Sequence, residues 1–379
     1  MKLLFFLSIA MIIYIYAGYP LIVFLLGLVR NKRVLKRSIK PSVTVLIAAY
    51  NEQNVIGNTI MNKLRQDYPS DRLEILVVSD GSTDDTDNVV KGINDPRVKL
   101  LQQSPRSGKT GALNMAVKEA TGDIIIFSDA NSIYANDAVS RLVSNFADQE
   151  VGYVTGRMIY TNPDGTTIGD DCSTYMKYEN ALRLAETRLG SVVGVDGGVD
   201  AMRKELYLPM KADQLPDFVL PLHVVGQGYR VLYEPEAVLQ EPSLKQSGDE
   251  YRMRVRVALR AFWALLDMRH LLSLRRYGLF AWQLWSHKVL RYICFIFLAA
   301  AWIANLALLR QGVGYQIFFI IQNMGYFLAL AAPILNKIGF NSRLFSLARY
   351  FVLLNLASAH AFCKFLMGKK QALWTPRKG

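Results

Sequence analysis

Residues 3–29 contain no charged side chain, and at roughly 1.5 Å of helical rise per residue the run exceeds the hydrocarbon thickness of a bilayer. The pattern predicts a transmembrane helix bent at Pro20. The apolar core is too long for a signal-peptide h-region, and no small-residue cleavage pattern follows it. Charge-free runs return at 292–309 and 312–336, giving two more spans. A fourth, at 344–367, is interrupted by Arg349, His360 and Lys364. If all four cross, the basic tail with Lys369, Lys370, Arg377 and Lys378 ends opposite the soluble domain. Otherwise one carboxyl-terminal segment lies in the membrane interface.

Between these apolar blocks, residues 41–243 alternate strand and helix patterns. Strand patterns stand at 43–49, 73–79, 98–102 and 123–129, the first a continuous apolar run and the last a β-branched and aromatic run that reads as buried. Helical spacing fills 51–66, 85–92 and 111–120, and returns at 217–225 ahead of a strand at 230–233. The alternation predicts an α/β fold with a mainly parallel sheet and helices on both faces.

Composition and charge then narrow the surroundings. Hydrophobic residues make up 51% of the 379, and the formal net charge is +13. Part of that charge follows the first span, as Arg30, Lys32, Arg33, Lys36, Arg37 and Lys40, which places the soluble domain in the cytoplasm by the positive-inside rule. Beside apolar segments, such clusters suit a lipid bilayer rather than nucleic acid, for which no module is legible. The three cysteines, Cys172, Cys294 and Cys363, form neither a metal pattern nor a disulfide framework.

Candidate chemistry gathers at the strand ends, where ligands bind open α/β sheets. Strand 123–129 delivers Asp129 and, two residues on, Asn131, whose oxygens suit a hard divalent cation; a plain turn explains the pair too. Tyr50-Asn51-Glu52 follows the first strand. Asp80, after the second, can accept from a nucleobase imide, and Glu52 from ribose or base; both also read as turn or cap residues. The run 104–114 lacks the spacing of a Walker loop, yet a helix amino terminus bearing Lys109 attracts diphosphate. A solvated lysine in a glycine turn is the alternative. Arg252, Arg256 and Arg260 form an i, i+4, i+8 stripe on a helix expected at the membrane surface.

In order and spacing these clusters resemble the family 2 inverting glycosyltransferases of GT-A fold, in particular the membrane-bound cellulose, hyaluronan and chitin-type synthases. The likeness covers about 42–265. It implies that Tyr50, Glu52 and Asp80 contact a nucleoside, usually uridine, that Lys109 approaches the diphosphate, and that Asp129 opens the metal-binding Asp-x-Asp element, with Asn131 replacing its second acid. Residues 195–203 are similar to the glycine segment beside the acceptor, so Gly197, Gly198 and Arg203 are expected there. Asp217 stands for the catalytic base that ends a Thr-Glu-Asp motif, although its two companions are Leu215 and Pro216; a helix cap is the other reading. Arg256 stands for the arginine of Gln-x-x-Arg-Trp, whose glutamine and tryptophan are here Met253 and Val257. Arg260 and Trp263 are then expected near the acceptor, Trp263 in place of the missing aromatic platform, and a purely lipid-facing role for the arginines is the alternative.

The expectation is a multi-pass cell-membrane enzyme that transfers sugar from a UDP-sugar, with Mg2+ or Mn2+, to a glycan or lipid-linked acceptor in polysaccharide synthesis. Single-sugar transfer to a polyprenyl-phosphate carrier is the alternative, and a non-catalytic nucleotide-sugar-binding regulator a further one. Its parts are an N-terminal transmembrane helix (1–29), a basic linker (30–41), the GT-A domain (42–245), interfacial amphipathic helices (246–290), a carboxyl-terminal membrane region (291–368) and a basic tail (369–379).

Overall fold

The computed structural model describes residues 1–161, 171–242, 247–337 and 343–371; Arg377 and Lys378 lie outside them. The chain divides into two compact units. Among the described residues, one comprises 1–26, 171–178, 247–337 and 343–370, and the other 27–161, 179–242 and 371.

The first helical run is α1 (Lys2–Ile13), a π-helical turn (Tyr14–Gly18) and α2 (Tyr19–Arg30). The irregularity therefore falls just before Pro20, not at it. Pro20 has no N–H for the Tyr16 carbonyl four residues back, and the wider turn absorbs that missing bond. The Tyr178 hydroxyl donates to the freed carbonyl at 3.3 Å.

The second unit is built on β1 (Val43–Ala49), α3 (Ile56–Leu64), β2 (Leu73–Asp80), α4 (Thr86–Lys91), β3 (Val98–Gln103), α5 (Gly108–Glu119) and β4 (Ile124–Asp129). It continues through β5 (Ile133–Tyr134), α6 (Ala138–Ser144), β6 (Val151–Thr161), the part of α7 (Asp171–Leu189) from Glu179 onward, β7 (Asp200–Arg203), α8 (Pro216–Gly226) and β8 (Arg230–Pro242). The eight strands lie in the order β3-β2-β1-β4-β7-β6-β8-β5. β3, β2, β1 and β4 are parallel, as the alternation requires, whereas β7 runs antiparallel between β4 and β6. The sheet is thus mixed though mostly parallel. Its central strands are apolar on both faces because helices cover both: Val45, Ile75 and Ile126 are buried on one face and Leu46, Leu76 and Ile125 on the other.

Two elements depart from their expected limits. α3 starts at Ile56 rather than near 51, because Asn51 adopts a left-handed φ of 55° and its amide oxygen accepts from the Thr83 N–H at 2.8 Å. That bond ties the first crossover loop to the second. The strand expected at 230–233 runs on to Pro242, since it pairs with β6 along nearly its whole length.

In the helical unit, α9 (Ser247–Asp267), α10 (Leu274–Leu284), a three-residue α11 (Leu290–Tyr292), α12 (Cys294–Leu308), α13 (Val313–Lys337) and α14 (Arg343–Leu366) follow. Among the described residues three helical stretches are long and apolar enough to cross a membrane: Lys2–Arg30, Cys294–Gln311 and Val313–Ala332. α14 is not one of them. α9 does not lie as a free amphipathic stripe: Val255, Ala258, Leu259 and Phe262 pack with Ala357 and Ala361 of α14, and Arg260 is only 6% exposed.

Candidate active site

Parallel pairing brings the carboxyl ends of β1, β2 and β4 to one rim, with Ala48 level with Asp129 and Ala49 level with Ser79. Tyr50, Asp80 and Asp129 leave the sheet there. Asp80 is buried, and its two oxygens accept from the backbone N–H groups of Ser107 and Gly108, each at 2.8 Å. It closes the amino terminus of α5, where a negative charge is favoured. A carboxylate has about four acceptor positions, so these bonds leave capacity for a further donor. Arg106 completes the corner, its guanidinium 3.5 Å from the Tyr50 ring centre and its Nε 3.5 Å from Asp80 Oδ2. Sequence pattern alone does not single out Arg106; its place between a proline and the Ser-Gly-Lys turn is the available signal. Glu52 supplies backbone: its N–H donates to Thr86 Oγ1 at 2.8 Å, and its carbonyl accepts from Val55 and Ile56.

Because α5 begins at Gly108, Lys109 stands in its first turn, over the end of β4. Its ammonium donates to Asp129 Oδ1 at 2.6 Å and lies 3.9 Å from Asp217 Oδ1. Burial works against that charge, but Asp129 and Asp217 outweigh it and hold the pKa of Lys109 above its usual value. Asp217 follows Pro216 in the first turn of α8, whose N-cap is Leu215, so the cap reading does not hold. Asn131 sits in the turn closed by the Ser132 N–H to the Asp129 carbonyl, 3.2 Å.

Gly197 and Gly198 fit between these two acids. Both have left-handed φ, +80° and +77°. A Cβ on Gly197 would stand 2.7 Å from Asp217 Cγ, and one on Gly198 3.4 Å from Asp129 Oδ2. The close approach these glycines permit is to the protein's own carboxylates. The preceding Asp196 is gripped by both terminal nitrogens of Arg183 at 2.5 Å, which fixes the loop from behind.

Arg203 is a correction. β7 runs antiparallel to β4, so Arg203 pairs with Ile124 at the opposite end of the sheet from Asp129. Its guanidinium is spent on the carbonyls of Phe146, Asp148 and Val151. Arg203→Ala is expected to lower stability by about 2–3 kcal/mol, through unpaired carbonyls, without changing turnover. Denaturant unfolding and an activity assay on one preparation check this; a turnover loss at full stability would restore the acceptor reading. Arg256, Arg260 and Trp263 belong to α9 in the other unit, where the Trp263 indole donates to the Lys369 carbonyl at 2.9 Å and meets Phe365 edge-on.

Asp200 was given no role from sequence, although an acid between Val199 and Ala201-Met202 in a strand pattern is unusual. It is 1% exposed, opposite Phe127, and neither oxygen meets a hydrogen-bond partner of ordinary geometry. Burial, reinforced by Asp217, pushes its carboxyl up to about 8, with the Thr155 and Tyr153 hydroxyls opposing only part of the rise. An unfolded aspartate titrates near 3.9, so folding takes up a proton between about pH 4 and pH 8, and stability from this group declines as pH rises through that window. Asp200→Asn should therefore raise Tm at about pH 9 and leave it nearly unchanged near pH 4.5. Equal shifts at both pH values would mean that the carboxyl is not protonated in the fold.

A divalent cation suits this rim only in part. Asp129 and Asn131 offer a carboxylate and an amide oxygen, hard donors of the right kind, and the Lys109 ammonium already marks a cation position on Asp129. Among the described residues no group of three or more His, Cys, Asp or Glu could hold a metal alone. A metal here would complete its coordination with phosphates and water.

Residues 44–207 match the family description "Glycosyl transferase family 2", and this part of the chain is a family 2 glycosyltransferase domain with the GT-A fold. The chain is 28% identical over 269 residues to a poly-beta-1,6-N-acetyl-D-glucosamine synthase of Staphylococcus aureus (strain MSSA476), a match covering 66% of this chain and 64% of that protein. The synthase of the same name from Staphylococcus epidermidis is 24% identical over 324 residues, covering 81% and 75%. A mannosyltransferase from Pyrobaculum calidifontis, solved with GDP-Man and Mn2+, shares the fold with a TM-score of 0.75 over 97% of this chain and 99% of that one, at 24% identity.

Proposed function

We propose that the chain is a membrane-bound, inverting glycosyltransferase that moves a sugar from a nucleotide donor, a UDP-sugar in the first instance, to a glycan acceptor. The observation that carries this reading is Lys109 standing between Asp129 and Asp217, two acids from distant elements at the ligand-binding rim. The relatives named as poly-beta-1,6-N-acetyl-D-glucosamine synthases support the glycan acceptor, and the three long apolar helical stretches support the membrane setting.

Each side chain then has a task. Tyr50, Asp80 and Arg106 receive the nucleoside, and Lys109 turns its charge to the diphosphate. Asp129 and Asn131 would hold a divalent cation, which when bound neutralises phosphate charge. Asp217 accepts the proton of the acceptor hydroxyl as that oxygen bonds to the anomeric carbon. The bond to the diphosphate breaks, its electrons leave with the nucleotide, and the anomeric centre inverts. Most of the rate gain is charge placement and positioning.

The basic residues after α2 favour a cytoplasmic domain. Two carboxyl-terminal crossings rather than three then return Lys369 and Lys370 to the side from which the chain left. The test is a screen of UDP- and GDP-sugars for metal-dependent nucleotide release in detergent, followed by mass analysis of the product. A ladder of sizes fits a glycan polymerase, and one added sugar a lipid-linked carrier. No release from any donor would refute the transferase reading.

A further inference from the structure

α3 turns an unusual face to the rim from behind. Thr59, Asn62 and Lys63 are polar, yet they point into the sheet side, and Lys63 is 0% exposed. All three bind the segment that follows Asp129. The Thr59 hydroxyl donates to the Ala130 carbonyl at 2.7 Å, Asn62 exchanges two hydrogen bonds with the Tyr134 backbone, and Lys63 Nζ donates to the Ser132 carbonyl at 2.6 Å. The same ammonium lies 3.5 Å from the centre of the Tyr134 ring. Tyr134 in turn shares its one hydroxyl proton between the carbonyls of Phe127 and Gly198, 3.0 and 2.7 Å away.

Among the described residues no carboxylate lies within ion-pairing distance of Lys63. Burial drives its pKa well below the usual lysine value, opposed by the field of Asp129. A buried amine of this kind costs stability that an apolar residue of similar length would not. Packing alone does not explain a lysine here. What it achieves is geometric: through one carbonyl and one ring it joins the Asp129 turn to the glycine loop on which Asp217 rests.

We propose that Lys63, acting through Tyr134, is a positioning residue for sugar transfer, fixing the turn that carries Asp129 and Asn131 against the Gly197-Gly198 loop that seats Asp217. The proposal rests on the transferase reading above. Errors near 1 Å in such placements cost turnover on the order of 10²-fold while nucleotide binding, which draws on Tyr50 and Asp80, survives.

Lys63→Met should therefore lower kcat by about 10²-fold, with nucleotide Kd changed less than about threefold. Glu74→Gln is the matched control, since Glu74 is a buried carboxylate bound by Thr44, Lys99 and Thr121 at the far end of the sheet. It should cost Tm but not kcat. Tyr134→Phe keeps the ring and removes only the hydroxyl bridge; it should lower kcat by about tenfold, and it decides the matter should Lys63→Met not fold. Lys63→Met whose kcat stays within twofold, whatever its Tm, or Tyr134→Phe with unchanged kcat, would overturn the role. A wild-type protein that releases nucleotide from no donor would instead take down the transferase reading itself.

Discussion

Asp217→Asn is expected to lower transfer by about 10²–10⁴-fold, the range of a lost general base, while nucleotide binding stays within about threefold. The asparagine fills the same space against Gly197 and can still receive a hydrogen bond, so the glycine loop keeps its seat. What disappears is a proton acceptor. Lys109 retains Asp129, its nearer partner at 2.6 Å, and should remain in place to meet a diphosphate. Single-turnover transfer together with calorimetric nucleotide titration separates the two effects. Near-normal turnover would remove Asp217 from the chemistry, and joint loss of binding and turnover would mean that it serves the architecture of the donor pocket.

The second large effect falls on Asp129. Asp129→Asn leaves two amide oxygens where a carboxylate and an amide stood, and should raise the metal concentration for half-maximal activity on the order of 100-fold. The reciprocal change gives the sign a second check. Asn131→Asp adds the charge that the Asp-x-Asp pattern ordinarily has, and should lower that concentration by about tenfold. Metal titrations of nucleotide release at fixed donor measure both. Should neither substitution move the titration, the turn after β4 is not where a cation acts.

Much of this rim was legible in the sequence because its residues follow strands whose apolar runs leave no other reading. Asp80, Lys109 and Asp129 come together since parallel pairing aligns their strand ends, and alternation of strand and helix had already implied that pairing. Asp217 joined them only through a resemblance, as nothing local distinguishes it from a helix cap; its contact with Lys109 is a tertiary fact. Arg203 was misplaced for a related reason. It lies three residues from Asp200, but β7 runs antiparallel to β4, so three steps of strand carry it to the other end of the sheet.

Lys63 and Asp200 escaped for the opposite cause. Spacing sets which face a residue occupies, and a charged side chain at a core position reads as an error in the pattern rather than as a feature. Pro20 acts on its helix through a π-helical turn at Tyr14–Gly18, one turn earlier, beside the carbonyl its nitrogen cannot reach.

The most direct measurement is a structure of the full chain in detergent or nanodisc with Mn2+ and a non-hydrolysable analogue of the donor identified by screening. The expected result is an anomalous Mn2+ signal at Asp129, Lys109 turned from Asp129 to the diphosphate, and the anomeric carbon facing Asp217 across the Gly197-Gly198 loop. A nucleotide bound away from the ends of β1, β2 and β4, or a sugar whose anomeric carbon faces away from Asp217, would contradict it.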